Sequence, residues 1–171
     1  MVYYGAISEQ KTKEKKSKYP LKVTSETKIK LLELAEKVRQ ARMARRHDEA
    51  IQLWEEALYL IPDPKNVYLE TAWFSVAIGD IYIVKKMYSK AFEYFKKVFD
   101  ILHEEIYQDA FTMRSIGEIY CEMGDEKCST KYLLKAYLLE GEEIFELDFY
   151  KEIDHKKYFY FLKTHVDLSN I

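Results

Sequence analysis

An all-α fold of stacked helix hairpins is predicted by three observations. The chain spends only five glycines and three prolines on 171 residues, whereas sheet-rich domains use these residues at every turn. Its apolar residues, 48% of the total with aromatics and cysteine, recur at helical spacing. One segment also repeats: Ile78-Gly79-Asp80-Ile81-Tyr82 returns without gaps, 38 residues later, as Ile116-Gly117-Glu118-Ile119-Tyr120. Repetition at such a period marks supersecondary units that bury their apolar faces only by stacking on one another.

The elements follow in order. Residues 1–24 read as a lysine-rich, poorly ordered arm with Lys11, Lys13, Lys15, Lys16 and Lys18. Ser25 is the expected N-cap of a helix to about Arg45. Further helices are expected near 48–60, 66–84, 88–103, 106–122 and 126–139, with Pro62 and Pro64 breaking the chain after the first pair. Each Ile-Gly-x-Ile-Tyr helix is followed by a polar turn and a second amphipathic segment. Those segments place a small residue, a large apolar residue four later and a small or medium one three after that, as at Ala91, Phe95 and Val98, and at Ser129, Leu133 and Ala136. Ala50, Trp54 and Ala57 form the same trio 41 residues before Ala91. Gly79 and Gly117 fall in mid-helix, where glycine costs about 1 kcal/mol against alanine, so another helix is expected to approach closely there. From Gly141 the repeat stops; residues 141–171 are expected to cap the stack through a last helix around Tyr158-Phe159-Tyr160-Phe161-Leu162. Residues 25–140 hold the repeats.

A chain of this length fits one domain, since domains run about 100 to 200 residues. Such a domain buries roughly 70% of the surface its unfolded chain exposes and needs no metal or disulfide to hold a core. Charged residues at 33% match a folded, soluble composition. No secretory signal and no stretch near the ~18 apolar residues of a membrane span are read. Cys121 and Cys128, seven apart, lack metal-ligand spacing, and two free, half-buried thiols suit a reducing cytoplasm.

This pattern resembles the tetratricopeptide repeat family: apolar-Gly-x-x-Tyr in the first helix of a pair, Ala-x-x-x-aromatic-x-x-Ala in the second, and a closing proline at Pro62. The resemblance covers about residues 29 to 140 and implies a helix-turn-helix superhelix of about three repeats with a capping helix. Departures exist. Val38 and Ala41 stand in the first copy where glycine and tyrosine belong, and Val98 and Ser129 replace alanines. The 38- and 41-residue spacings exceed the family's ~34. Ala136 to Glu146, after the Ile-Gly-Glu-x-Tyr helix, is also similar to small stand-alone bacterial tetratricopeptide proteins linked to polymorphic toxin systems, commonly as immunity proteins.

No catalytic constellation is read. His47, His103, His155 and His165 are scattered singly and are expected to be exposed, no base is paired with Cys121, and no phosphate-binding, zinc-protease or nucleophile-elbow motif occurs. No enzyme activity, cofactor, metal or small-molecule substrate is therefore expected. Binding is. In such superhelices the first helices line the recognition face. By spacing, that face carries Arg39 and Arg42, then Trp73 and Asp80, then Phe111, Arg114, Glu118 and Glu122, with Asp80 and Glu118 in equivalent places as an acidic strip. Asp80 and Glu118 replace the asparagines of the carboxylate-clamp subgroup, so that subgroup is not matched. Glu140, Glu142, Glu143, Glu146 and Asp148 form a second acidic cluster, read as a solvated face.

Charge distribution shapes the expected partner. Residues 1–46 hold 13 Lys/Arg against 5 Asp/Glu, a net +8, while residues 47–171 hold 14 against 24, a net −10. The expectation is an intracellular protein-binding module, an immunity protein that neutralises a cognate toxin, whose acidic body suits fast capture of a basic toxin domain. The alternative is an adaptor or secretion chaperone that holds a client peptide in the groove. Nucleic acid and membrane are not expected partners.

Overall fold

The computed structural model describes residues 21–101, 109–147 and 152–170. Among them the fold is all-helical. Three hairpins follow in succession: α1 (Ser25–Met43) with α2 (His47–Leu60), α3 (Leu69–Val84) with α4 (Tyr88–Ile101), and α5 (Ala110–Glu122) with α6 (Glu126–Glu140). A final helix, α7 (Lys156–His165), completes the chain order, with 3₁₀ turns at Lys65–Val67, Glu142–Phe145 and Leu168–Asn170. The expected elements are therefore present, with adjustments at their ends. Thr24, not Ser25, caps α1, because its backbone is extended and its hydroxyl accepts from the Thr27 amide at 3.2 Å. The helix expected from residue 66 begins at Leu69, after the 3₁₀ turn that follows Pro64, and the one expected from residue 106 begins at Ala110, capped by Asp109. The lysines of the expected arm from Lys11 to Lys18, and His103, lie outside the described residues.

The three hairpins share one turn geometry, and this sets the register of the repeat. Arg45, Lys86 and Gly124 each take a positive φ, of 55°, 58° and 78°. In each turn the next amide reaches back to a carbonyl five residues earlier: Arg46 to Ala41 at 2.8 Å, Met87 to Tyr82 at 2.8 Å and Asp125 to Tyr120 at 2.9 Å. Reversing a helix through one left-handed residue satisfies carbonyls that would otherwise lack partners. Ala41 thus occupies the place of Tyr82 and Tyr120, although its side chain differs. The first hairpin is a full member of the series.

Packing explains the repeated residues. A Cβ added to Gly117 would lie 2.7 Å from Leu133 side-chain carbons and 2.9 Å from its backbone nitrogen, so the α5 backbone packs directly on Leu133 of α6. At Gly79 the close neighbour is instead the Phe95 ring, 2.5 Å from the same hypothetical atom. The expectation of a close helix holds at both sites, with an aromatic ring doing the approaching in the second hairpin. Between hairpins the contacts are aromatic: Trp54 stacks on Phe74 with centroids 4.7 Å apart, and Phe92 meets Tyr120 edge-on at 5.3 Å. One core runs from α3 to α7 through Phe95, Met113, Ile116, Leu133, Phe145, Phe159 and Leu162. Tyr158, Phe159 and Leu162 bury α7 against the last hairpin, so the aromatic run does cap the stack. No helix among the described residues is long and apolar enough to cross a membrane.

Two substitutions test this packing by urea denaturation. Gly117→Ala should destabilise the chain by about 1–3 kcal/mol, because overpacking against a backbone atom outweighs the gain of about 1 kcal/mol in helix propensity. Lys86→Gly should stabilise it by about 0.5–1 kcal/mol by relieving a left-handed lysine. An unchanged midpoint for either would show that the turn or the close approach is not under strain.

Candidate functional site

The face shared by the first helices, α1, α3 and α5, carries charge where a core would carry apolar groups. Arg114 and Glu118, one helical turn apart on α5, are fully enclosed, with 1% and 0% of their side chains exposed. Their contact, Arg114 Nε to Glu118 Oε1, measures 3.3 Å. Asp80 approaches from α3, where it accepts the Ser115 hydroxyl at 3.1 Å. Arg42 faces it from α1, 8% exposed. Taking charges out of water is costly unless each is answered, so these groups persist only where opposite charges and hydrogen bonds converge.

The answering groups come from the C-terminal segment, which does more than cap the end. Arg114 donates to the Ile144 carbonyl at 2.5 Å and the Leu147 carbonyl at 3.0 Å, while its guanidinium lies 4.4 Å over the Phe111 ring. His155 Nδ1 sits 2.6 Å from Glu118 Oε1. Glu152, its side chain only 2% exposed, reaches back to the first hairpin, where Arg42 bonds it, His47 Nε2 lies at 3.3 Å and Arg45 at 3.9 Å. At the other edge Glu122 accepts from Lys157 at 2.5 Å and from the Tyr158 hydroxyl at 2.8 Å. Residues 152–155 thereby bridge the third hairpin and the first.

These placements correct the expectation of an open acidic strip. Arg42, Arg114 and Glu118 are buried under the chain's own C-terminal segment and are not available to a partner in this state. Asp80 keeps partial solvent contact, and Glu122 is engaged by α7. Phe111 is half-buried beneath Arg114, and Trp73 is half-buried against the Leu31, Leu34 and Phe74 cluster away from the charges. Arg39 is exposed, paired with Glu36 on its own helix at 2.7 Å. The structure thus brings together Arg42, Asp80, Arg114 and Glu118 and leaves Arg39 and Trp73 apart. Expected exposure also fails for His155, which is buried, and for His47, which is largely covered. Only His165 among the described histidines stands out to solvent. Glu152, His155 and His47 were invisible as site residues because nothing in their local spacing distinguishes them from surface polar groups. The second acidic cluster behaves as read: Glu140, Glu142, Glu143 and Glu146 are exposed, and Asp148 lies outside the described residues.

Electrostatics within the cluster are unbalanced. Three carboxylates, Asp80, Glu118 and Glu152, meet two buried arginines and two imidazoles. Burial pushes the Asp80 carboxyl up to about 6; Arg114 and Arg42 oppose the shift and Glu118 adds to it. Burial also raises the Cys121 thiol, so its nucleophilic form is disfavoured. Cys121 and Cys128 are free and half-buried, as expected. Among the described residues no group of His, Cys, Asp and Glu is placed to hold a metal ion.

No family model matches the chain, and no curated protein matches it.

The Asp80 shift has a signed consequence. Its folded pKa lies above the unfolded value, so its favourable contribution is complete at low pH and is lost as pH rises through about 6. Asp80→Asn should therefore stabilise the chain at pH 7.5 by about 2 kcal/mol, and should flatten the fall in stability between pH 4 and 6.5. Urea midpoints at the two ends of that range measure both effects, and equal midpoints for variant and parent at pH 7.5 would sink the assignment. Glu118→Lys, by contrast, should cost about 3–5 kcal/mol, since it sets an unanswered cation against Arg114.

Proposed function

We propose that this chain is a protein-interaction module of the tetratricopeptide kind that holds an extended stretch of a partner polypeptide on the face formed by α1, α3 and α5. What supports this reading is the way that face engages polypeptide already. It takes residues 144–147 and 152–155 through main-chain carbonyls at Arg114, a carboxylate at Arg42 and an imidazole at Glu118. Recognition of an extended chain rests on such main-chain contacts for affinity and on side-chain subsites for specificity. The retained ionic groups fit the same reading. Buried ion pairs add little net stability, so an apolar face of equal volume would serve folding as well or better.

A second observation favours a more particular use. The net −10 over residues 47–171, with Glu140, Glu142, Glu143 and Glu146 exposed on one region, suits rapid electrostatic capture of a basic protein. Immunity to a basic toxin domain is that use. The adaptor reading, in which the bound stretch belongs to a client in transit, uses the same face.

Selection of the full chain against displayed random 12-residue peptides tests the module reading. Enriched peptides should share side-chain chemistry and should lose binding when Arg114 is replaced by Met; recovery of no common chemistry would count against it. For the immunity use, the protein encoded immediately upstream in the source genome is expressed with and without this chain. Relief of toxicity is the expected result, and toxicity that persists would shift the assignment to the adaptor.

A further inference from the structure

The first hairpin gathers three cationic or imidazole side chains around one carboxylate. Arg42 lies in the last turn of α1, Arg45 occupies the left-handed turn residue and His47 opens α2, so the turn itself aims all three at one point. Glu152 occupies that point. Arg42 bonds its Oε2, while His47 at 3.3 Å and Arg45 at 3.9 Å face its Oε1. Among the described residues no equivalent cluster forms in the other hairpins. The positions matching Arg42 are Ile83 and Cys121, and those matching Arg45 are Lys86 and Gly124. The site is therefore a specialisation of one repeat, not a consequence of the fold.

Ile153 is only partly buried against the core and Asp154 is exposed. The strong apolar anchors of the C-terminal segment lie further on, at Tyr158, Phe159 and Leu162, and further back, at Ile144 and Phe145. Residues 152–154 therefore add little apolar burial of their own, and the charged contacts of Glu152 and His155 seat the crossing. Exchange for another segment that presents the same groups is nearly balanced in energy, because the charges left behind are answered again.

Resting on the reading that this face binds extended polypeptide, we propose that Arg42, Arg45 and His47 form a carboxylate-recognition subsite. Glu152 is its resident intramolecular ligand, and the partner segment presents a glutamate or aspartate in its place. Arg42 gives Glu152 Oε2 a charge-assisted hydrogen bond, with the charges of the turn gathered around it, which sets an acidic side chain above a neutral amide of the same shape. The resident ligand also regulates access. A tethered group competes at an effective concentration on the order of millimolar, so a free segment of micromolar affinity meets a largely blocked subsite.

The probe is the labelled tetrapeptide acetyl-Glu-Ile-Asp-His-amide, which reproduces residues 152–155, with anisotropy as the readout. It is titrated into the full-length parent, into Glu152→Ala and Glu152→Gln, and into Glu152→Ala combined with Arg42→Ala. Circular dichroism verifies the fold of each, and Glu152→Gln keeps the side-chain volume should the alanine variant unfold. Binding to the single variants should be at least tenfold tighter than to the parent, should vanish in the double variant, and should fall at least tenfold when glutamine replaces glutamate in the probe. Equal binding to parent and single variants, or indifference to the glutamine probe, overturns the subsite. Failure of the module reading looks different. The tetrapeptide then binds as expected, while selected 12-residue peptides show no common chemistry and no dependence on Arg114.

Discussion

Everything on the inner face depends on the enclosed carboxylate of Glu118. It lies between Arg114 on its own helix and His155 on the C-terminal segment, with no exposed surface. A charge in that position is tolerable only while both neighbours stay in place. The consequence is a polar linkage between α5 and the C-terminal segment, added to the apolar core that the two share. Displacing His155 leaves Glu118 with one partner, and displacing Arg114 also releases the Ile144 and Leu147 carbonyls. The C-terminal segment is thus tied into the stack by charge along its crossing and by hydrophobic burial at α7.

The two halves of the molecule use different physics for different ends. Between successive helices, aromatic stacking and small-residue contacts supply a core that depends on shape: Trp54 on Phe74, Phe92 on Tyr120, Leu133 against Gly117. That core is nearest-neighbour in character, as a repeat array requires. The ionic cluster is not. Arg42, Asp80 and Glu118 come from three different hairpins and are joined to Glu152 and His155 more than thirty residues beyond the last of them. It couples the first repeat to the end of the chain and breaks the one-dimensional pattern. A stack that needed only stability would do as well with apolar side chains here.

Position within the stack also decides what equivalent residues do. Arg39, Asp80 and Glu118 occupy matching places in the three first helices, yet their surroundings grade from open to closed. Arg39 is exposed and paired locally with Glu36, Asp80 is partly covered, and Glu118 is sealed. The gradient follows the path of the C-terminal segment, which lies over α5 and reaches α1 through Glu152.

The hairpin series was legible in the sequence because its causes are local. Helical spacing, scarce glycine and proline, and the duplicated Ile-Gly-x-Ile-Tyr segment each constrain neighbours within a few turns, so the described helix bounds followed to within four residues. Even the degenerate first copy declared itself through Ala50, Trp54 and Ala57. The face on which Arg42, Asp80, Arg114 and Glu118 meet was also readable, since spacing alone assigns side chains to a helix face. Their burial was not. It depends on where residues 152–155 run, and a connection without periodicity carries no signal of its destination. His155 and Glu152 look like any surface pair until tertiary structure sets them 37 residues back against Glu118 and 110 back against Arg42. Local chemistry determined which helices form and which faces they present; only the folded chain decided that the charged face would be filled by its own C-terminal segment.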